Sequence, residues 1–190
     1  MRKSKLETAD TRRRIVDVAA RAFRAKGIQA TGLADLMADA RLSHGGFYRH
    51  FESKDHLVAE ACEAGLTEII GKLVTAAGDG IGHEGFKAIA DAYVSTSHRD
   101  APADGCPLAG MGSELARADR QTRAAAARGF GGLVDILARR SRHRQRAVAR
   151  SEAVFALSAM IGAVTMARIV EDPDAPAAIL RTVKEHLTAM

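Results

Sequence analysis

The chain of 190 residues has little of several residue types on which other protein classes depend. It contains no tryptophan, two tyrosines, two cysteines and four prolines. Two cysteines cannot build the disulfide scaffold of a small secreted domain, and the low proline content argues against a disordered chain. No segment of four or more residues alternates between apolar and polar side chains, so no strand is predicted. These absences leave a helical globular protein whose Cys62 and Cys106 are expected to be free thiols.

Long hydrophobic runs are also missing. The basic and polar start, MRKSKLETADTRRR, lacks the apolar run of a signal peptide. The longest uncharged apolar stretch covers residues 153–167, which is shorter than the roughly 20 residues that span a bilayer. We therefore expect this stretch to be a buried helix, and the protein to be cytoplasmic.

Apolar side chains recur at helical spacing through most of the chain, and alanine, the best helix former, is abundant. The predicted fold is all-α. Residues 1–53 are predicted to form a small N-terminal three-helix domain, and residues 54–190 a larger helical domain. The predicted helices cover about 8–26, 31–40, 43–51, 53–75, 86–97, 107–117, 120–139, 148–170 and 177–187.

Positive charge is concentrated at the N-terminal end. Residues 1–56 hold 12 Lys or Arg against 7 Asp or Glu, which accounts for the whole net charge of +5. The remaining residues carry 16 of each sign. A polyanion such as DNA would be attracted to this end alone. A solvated basic face is the alternative explanation.

The segment 31–54, TGLADLMADARLSHGGFYRHFESK, predicts two short helices joined by a tight turn. Thr31 is expected to cap the first helix and Ser43 the second. The second helix carries polar and small residues where a core helix would carry an apolar face. Such a surface suits the major groove of DNA, where side chains meet base edges and phosphates.

Thirteen residues of this region resemble the signature of the tetracycline-repressor-like (TetR) family of bacterial regulators. They are Phe23, Gly27, Thr31, Leu36, Ala40, Leu42, Ser43, Gly45, Tyr48, His50, Phe51, Lys54 and Leu57. The resemblance is specific over about residues 10–60 and elsewhere concerns only the number and order of helices. It implies a homodimeric repressor that binds a palindromic operator and leaves it when a small-molecule effector binds. No cofactor and no metal are implied.

The resemblance assigns DNA-binding roles residue by residue. Thr31, Tyr48 and Lys54 match phosphate-contacting positions. Leading residues of the recognition helix, which should approach base edges, are Ser43, His44, Gly45 and Gly46. His50 matches a residue that faces the DNA backbone, with a packed neutral histidine as the alternative. An arm containing Arg2, Lys3, Lys5 and Arg12 to Arg14 is expected to reach a minor groove or phosphates.

Arg41 departs from the family pattern, which usually has glycine in this turn. If the position needs a positive φ, Arg41 costs about 1 kcal/mol of strain. A contact between its guanidinium and a DNA phosphate could offset that cost, so Arg41 is included among the candidate DNA-binding residues.

The predicted 148–170 helix has an apolar arc too wide for one core-facing stripe. With the last helix it could form a four-helix interface across a two-fold axis, and a helix buried within one chain is the alternative. Candidate interface residues are Val154, Phe155, Leu157, Ile161, Val164, Ile179 and Val183.

Cys106 precedes Pro107, a favourable first helical residue, so the thiol is expected at a helix N-terminus that would lower its pKa. Its surroundings, GCPLAGMGSELA, resemble a subgroup of the family that senses electrophiles or oxidants; a buried inert cysteine is the alternative. A small hydrophobic effector would instead bind in a pocket lined by core residues. Candidates are Leu66, Ile70, Ile89, Tyr93, Cys106, Leu108, Met111, Phe130 and Leu133.

Two other classes are weaker fits. An enzyme is disfavoured because the seven histidines show no metal-ligand spacing and no glycine-rich phosphate loop follows a strand. An architectural DNA-binding protein without an effector would not need a segment of some 130 residues with no net charge beyond the DNA-binding end. The run RRSRHRQR is expected to be a solvated loop, with an acidic partner as the alternative.

Overall fold

The computed structural model describes residues 5–190, with Lys5 described by its backbone alone. All secondary-structure elements in this range are helices, joined by turns and loops, and none is a strand. This confirms the predicted all-α fold. The N-terminal helices are α1 (Lys5–Lys26), α2 (Leu33–Asp39) and a 3₁₀ helix (His44–Arg49). The following helices are α3 (Lys54–Ala77), α4 (Gly82–Tyr93), α5 (Thr96–Asp100), α6 (Pro107–Arg117), α7 (Arg120–Ala138), α8 (Arg146–Ile169) and α9 (Ala175–Ala189).

The largest difference from the predicted helices lies between α3 and α6. The helix predicted over 86–97 begins earlier, at Gly82, and ends at Tyr93. Residues predicted as a loop form the short helix α5, whose N-cap Ser95 accepts a hydrogen bond from the His98 amide at 3.2 Å. A single 3₁₀ turn, Pro102–Asp104, then leads to α6. Ser95 supplied the signal for this break, because serine is a strong N-cap residue.

Helix α3 is the centre of the packing, with α1 on one side and α7 on the other. The α3–α7 contact is close because Gly129 has no side chain. A Cβ built there would lie 2.3 Å from Leu66 Cδ1, far inside van der Waals contact. One apolar core runs from Phe23 in α1 through Leu57 in α3 to Leu133 in α7. The division into domains at residue 53 therefore remains a proposal.

Helix α8 is the one described helix that is long and apolar enough, by length and composition alone, to cross a membrane. A helix on the core of a soluble protein has the same composition. Here α8 packs against α7 and α9 and buries eight residues, among them Leu157 and Val164. Both of these side chains are 0% exposed, so they belong to the core of the chain and their prediction as interface residues is wrong.

Candidate DNA-binding surface and buried polar cluster

The turn after α2 is built around Arg41, which has φ 57°, the only positive φ of a non-glycine residue between residues 5 and 190. The Leu42 amide donates to the Met37 carbonyl at 2.8 Å, and the Arg41 amide to the Ala38 carbonyl at 2.8 Å. These two bonds are the Schellman pattern, which ends helices with a left-handed residue, usually glycine. The condition stated for Arg41 is met: the position does have a positive φ, and its cost of about 1 kcal/mol is local to this turn.

The second helix of the motif is shorter than predicted and is a 3₁₀ helix, His44–Arg49. Two consecutive glycines, Gly45 and Gly46, weaken an α-helix by about 1 kcal/mol each, which favours the tighter form here. Ser43 is the N-cap residue as predicted, but its side chain makes no capping hydrogen bond. The hydroxyl is therefore available to a ligand.

The polar side of this helix faces solvent. Ser43, His44, Gly45, Tyr48 and Arg49 are exposed, and Gly46 and His50 are half-buried. Tyr48 is 66% exposed, unusual for so large an aromatic side chain. We call these seven residues the recognition surface.

Two buried aromatic rings support the recognition surface from beneath. Phe47 and Phe51 stack with their ring centroids 5.5 Å apart, and Tyr48 meets Phe47 edge-on at 5.2 Å. The Arg12 guanidinium lies 4.2 Å from the centroid of Phe51 and donates to the His50 carbonyl and to Glu60. Arg12 thus connects α1 to the recognition surface at its last residue, His50.

The predicted basic arm is different in the structure. Arg12 to Arg14 lie inside α1, so they are not part of a flexible arm. Arg2, Lys3 and the side chain of Lys5 lie outside the described residues. Arg13 and Arg14 are exposed on the surface of α1.

Thr31 does not cap α2, because the N-cap residue is Gly32. Thr31 is 4% exposed and its hydroxyl donates to the Gly27 carbonyl at 2.6 Å. Its side chain therefore stabilises the turn after α1. Lys54 begins α3 and is half-buried, and its ammonium donates to the Ile28 carbonyl at 2.7 Å. An ammonium has three donors, so two remain for a phosphate.

A cluster of polar side chains lies where α4, α5, α6 and α8 meet, and we call it the buried polar cluster. It consists of the buried residues Tyr93, His98 and Cys106 and the half-buried Arg168. His98 Nδ1 lies 2.7 Å from the Tyr93 carbonyl, and His98 Nε2 accepts the Cys106 amide at 2.8 Å. Nε2 is therefore unprotonated and Nδ1 carries the hydrogen, so the ring is neutral. Burial lowers the pKa of His98, and the nearby Arg168 cation lowers it further.

One nitrogen in this buried polar cluster, Nη1 of Arg168, has no hydrogen-bond partner among the described residues. The other guanidinium nitrogens of Arg168 donate to the carbonyls of Arg99 at 3.0 Å and His98 at 2.7 Å. Tyr93 is 0% exposed, its hydroxyl interacts with the Cys106 thiol, and burial raises the pKa of that hydroxyl well above its usual value. Sequence reasoning had selected Tyr93 and Cys106 but had missed His98 and Arg168.

Cys106 is the N-cap of α6 with Pro107 in the first helical position, as predicted. The predicted direction of its pKa shift is wrong. Cys106 is 1% exposed, and burial raises the pKa of the thiol, while Tyr93 and the amides of Leu108 and Ala109 only partly oppose this. Cys62 is also buried, and burial raises the pKa of its thiol to about 12.

The predicted effector-binding residues lie in the core between α3, α4, α6 and α7. Six are at most 2% exposed: Leu66, Ile89, Tyr93, Cys106, Met111 and Leu133. Ile70, Leu108 and Phe130 are half-buried around them. Met111 interrupts α6 with non-helical angles of φ −140° and ψ 25°, so this helix is kinked beside the buried polar cluster.

An apolar surface is left open on α8 and α9. Phe155 is 63% exposed and Val154 is 39% exposed, while Ile161, Ile179 and Val183 are half-buried. Ile169 and Met166, at 62% and 46% exposed, extend this surface along α8. A shallow groove of about 390 Å³ on α9 is lined by Ile179, Val183 and small neighbours. We call this the α8–α9 face.

Family models match both parts of the chain. Residues 15–61 match the model of bacterial regulatory proteins of the tetR family, and residues 83–186 match the C-terminal domain of LmrA/YxaF-like transcriptional regulators. The transcriptional regulator AcrR of Shigella flexneri is 37% identical over 68 residues. That alignment covers 36% of this chain and 32% of AcrR, so the chain is matched to about a third of its relative's length.

Solved structures share the fold across nearly the whole chain. Reduced E. coli NemR has a TM-score of 0.79 at 18% identity, with 95% of this chain and 96% of that chain covered. AibR, solved with isovaleryl coenzyme A and operator DNA, has a TM-score of 0.67 at 18% identity, with 94% and 98% covered. At such identities the likeness establishes the fold alone.

A helix-turn-helix with an outward polar surface, followed by a larger helical region, defines a DNA-binding transcriptional regulator rather than an enzyme. The chain belongs to the TetR family, since the two family models together cover most of its length.

Proposed function

We propose that the protein is a homodimeric repressor that binds a palindromic operator and is released by a small effector. The observation that carries this proposal is the recognition surface. Polar and small residues stand exposed on two buried rings, Phe47 and Phe51, at the positively charged end of the chain. This arrangement fixes hydrogen-bonding groups at a constant orientation toward a groove of DNA.

Within the recognition surface, Ser43, His44, Gly45 and Gly46 would meet base edges, and the glycines would allow the backbone to approach closely. Tyr48 would contact phosphates through its hydroxyl, and Lys54 and Arg41 through their charges. His50 is retained as a backbone-facing candidate. Thr31 is left out of the proposed contact surface because its side chain is buried.

The proposed dimer forms through the α8–α9 face. Exposed side chains such as Phe155 and Ile169 would be covered by the same surface of a second copy, as two-fold symmetry requires. Two copies would place two recognition surfaces on one face of the DNA, which explains the expectation of a palindromic operator. A regulator of this kind acts in the cytoplasm.

The proposed effector is small and either apolar or thiol-reactive. An apolar effector would enter the core between α3 and α7, beside Leu66 and Leu133. A thiol-reactive one would be attacked by the thiolate of Cys106, which would first require the buried polar cluster to open. The unpaired Nη1 of Arg168 supports a hydrogen-bond acceptor on an effector that reaches the buried polar cluster.

DNA binding is tested by selecting duplexes from a random library with the wild-type chain and measuring their affinity by fluorescence anisotropy. We expect a palindromic consensus and an affinity at least about a thousandfold above that for a shuffled duplex. Equal affinities for both duplexes, with a steep dependence on salt, would instead identify an architectural protein.

The dimer is tested with Phe155→Glu, which puts a charge into the α8–α9 face. We expect sedimentation velocity to show a monomer that has lost operator affinity. The matched control is Ile81→Glu, since Ile81 is 90% exposed at the N-cap of α4 and is not among the residues of the α8–α9 face, so this variant should leave the dimer intact. A dimeric Phe155→Glu variant would place the interface elsewhere.

The thiol is tested with Cys106→Ser, with Cys62→Ser as the control. Wild-type protein bound to its operator is treated with an electrophile such as N-ethylmaleimide or with hydrogen peroxide. A sensing thiol predicts release in the wild type and in Cys62→Ser but not in Cys106→Ser. Release that is unchanged in Cys106→Ser removes the thiol-reactive effector from the proposal and leaves the apolar one.

A further inference from the structure

The loop between α1 and α2 is held by a carboxylate from α6, across 86 positions of sequence. Glu114 Oε2 accepts the Ile28 amide at 3.1 Å, and Glu114 Oε1 accepts the Gln29 amide at 2.9 Å. Both bonds are charge-assisted and thus stronger than ordinary amide hydrogen bonds. A residue of α6, in the larger C-terminal helical region, therefore fixes the backbone that leads into α2.

The same loop is held from its other side by Lys54. Its ammonium donates to the Ile28 carbonyl at 2.7 Å, and that carbonyl belongs to the same peptide unit as the Gln29 amide. One peptide plane thus has its N–H on the Glu114 carboxylate and its C=O on the Lys54 ammonium. The peptide dipole is aligned with both charges, so each bond strengthens the other.

Gly27 makes the approach of Glu114 possible. Its φ of +87° lies in the region that favours glycine, and a Cβ at this position would lie 3.0 Å from Glu114 Oε2. The turn after α1 is therefore shaped for the carboxylate in both conformation and space.

Helix α6 connects this contact to the buried polar cluster. It begins at Pro107, next to Cys106, and is kinked at Met111 between Gly110 and Gly112. Glu114 follows the kink by three residues and contacts the loop after α1. A change of angle at Met111 would move the Glu114 carboxylate away from the Ile28 and Gln29 amides.

We propose that Glu114 is a positioning residue for DNA binding: through the Ile28–Gln29 peptide it holds the Lys54 ammonium where a DNA phosphate is bound. The inference rests on the proposed function, because the phosphate contact of Lys54 belongs to it. Movement of α6 breaks the chain of bonds at Glu114 and leaves Lys54 without its fixed partner.

The test is a double-mutant cycle on operator affinity, using the selected duplex and anisotropy at several salt concentrations. The variants are Glu114→Gln, Lys54→Met and the two combined. Glutamine keeps the size of the side chain, but it has one acceptor oxygen where Glu114 uses two, and an NH₂ group would face one of the two backbone N–H groups. We expect Glu114→Gln to weaken binding about fivefold and to reduce the salt slope toward the value of Lys54→Met, about 0.9 below wild type.

The combined variant should bind no more weakly than Lys54→Met alone, because Glu114 acts only through Lys54. Glu52→Gln is the charge control. Glu52 is exposed beside α3 and loses the same charge without touching the loop, so its operator affinity should stay equal or rise. Hydrogen exchange at the Ile28 and Gln29 amides should be faster in both variants that carry Glu114→Gln than in wild type or Glu52→Gln. The thermal midpoints of these variants should show that they are folded.

The outcomes separate the two proposals. A selected duplex bound equally well by wild type and Glu114→Gln, with Lys54→Met weakened, overturns the role of Glu114 and leaves the proposed function intact. Additive losses in the combined variant overturn it as well, since Glu114 would then act by another route. Unchanged binding by Lys54→Met removes the phosphate contact and the role of Glu114 with it. The absence of any preferred duplex defeats the proposed function itself.

Discussion

The recognition surface, at the N-terminal end of the chain, and the buried polar cluster, in the C-terminal part, place their polar side chains in opposite ways. On the recognition surface, His44, Tyr48 and Arg49 are exposed and rest on buried rings. In the buried polar cluster, Tyr93 and His98 lie inside the core, and the His98 ring makes two hydrogen bonds there. Outward polar groups cost little stability and are available to DNA, whereas inward ones determine how the helices pack and offer an effector hydrogen bonds. Substitutions should therefore affect affinity at one end and stability at the other.

The largest expected effect is at the junction of the two ends, where Arg24 of α1 is 3% exposed. Its guanidinium donates to Glu68 at 2.9 Å and to the Gly105 carbonyl at 3.0 Å. Burial disfavours the charge on Glu68, but hydrogen bonds from Lys72 and Arg24 outweigh it and hold its pKa below the usual range. Arg24→Met should lower the free energy of unfolding by about 3 kcal/mol, measured in urea.

Arg21→Met is the matched control for that substitution. Arg21 pairs with Asp104 on the surface, and its side chain is 56% exposed. Its loss should cost under about 1 kcal/mol. Equal costs for the two variants would mean that the depth of Arg24 contributes nothing to stability.

A second large effect is expected within the effector-binding half. In Gly129→Ala, the new methyl group would overlap Leu66 Cδ1, Cβ and Cγ at 2.3–2.8 Å and push α7 away from α3. The expected loss is about 2 kcal/mol in urea unfolding. Gly131→Ala, where no atom lies within 4 Å of the new Cβ, should instead stabilise α7 by up to about 1 kcal/mol. A stable Gly129→Ala variant would contradict the close α3–α7 packing.

The buried histidine predicts an acid-sensitive fold. Burial lowers the pKa of His98, so the unfolded chain binds a proton that the folded chain excludes. The contribution of neutral His98 to the free energy of unfolding is complete above the pKa of the unfolded chain, about 6.5. As the pH falls below that value the free energy of unfolding decreases, by at most about 1.4 kcal/mol per pH unit. Urea unfolding of His98→Gln between pH 5 and 8 should show a flatter profile, whereas His44→Gln, at an exposed site, should match wild type.

The smallest effect on stability is expected at Arg41. Arg41→Gly should remove the cost of the positive φ and raise the free energy of unfolding by up to about 1 kcal/mol. If the guanidinium contacts a phosphate, the same variant should bind its operator more weakly, with a salt slope reduced by about 0.9. Loss of stability in Arg41→Gly would mean that the arginine side chain itself supports the turn.

The contrast between the recognition surface and the buried polar cluster also explains which features could be predicted from the sequence. The helix-turn-helix was predicted because its signal is local: Arg41 follows the end of α2 in the position of a family glycine, and the structure has a positive φ there. Local patterns misled in two places. Thr31 was predicted to cap α2 because of its hydroxyl, whereas the N-cap residue is Gly32. The Gly45–Gly46 pair was expected in an α-helix although glycine weakens one.

The interior could not be predicted in the same way. The N-cap position of Cys106 was correct, but the direction of its pKa shift depends on burial by elements distant in sequence. The contact of Glu114 with Ile28 joins segments that no pattern connects. Arg24 did carry a signal, since it lies four residues after Ala20 on the apolar face of α1.

The most direct test of the account is the preference of His44→Ala for the selected operator over a shuffled duplex, measured by anisotropy at one salt concentration. His44 is exposed on the recognition surface, so its loss should leave the free energy of unfolding unchanged. The account predicts that the preference falls about tenfold or more while affinity for the shuffled duplex stays the same. An undiminished preference would contradict the assignment of base reading to this surface.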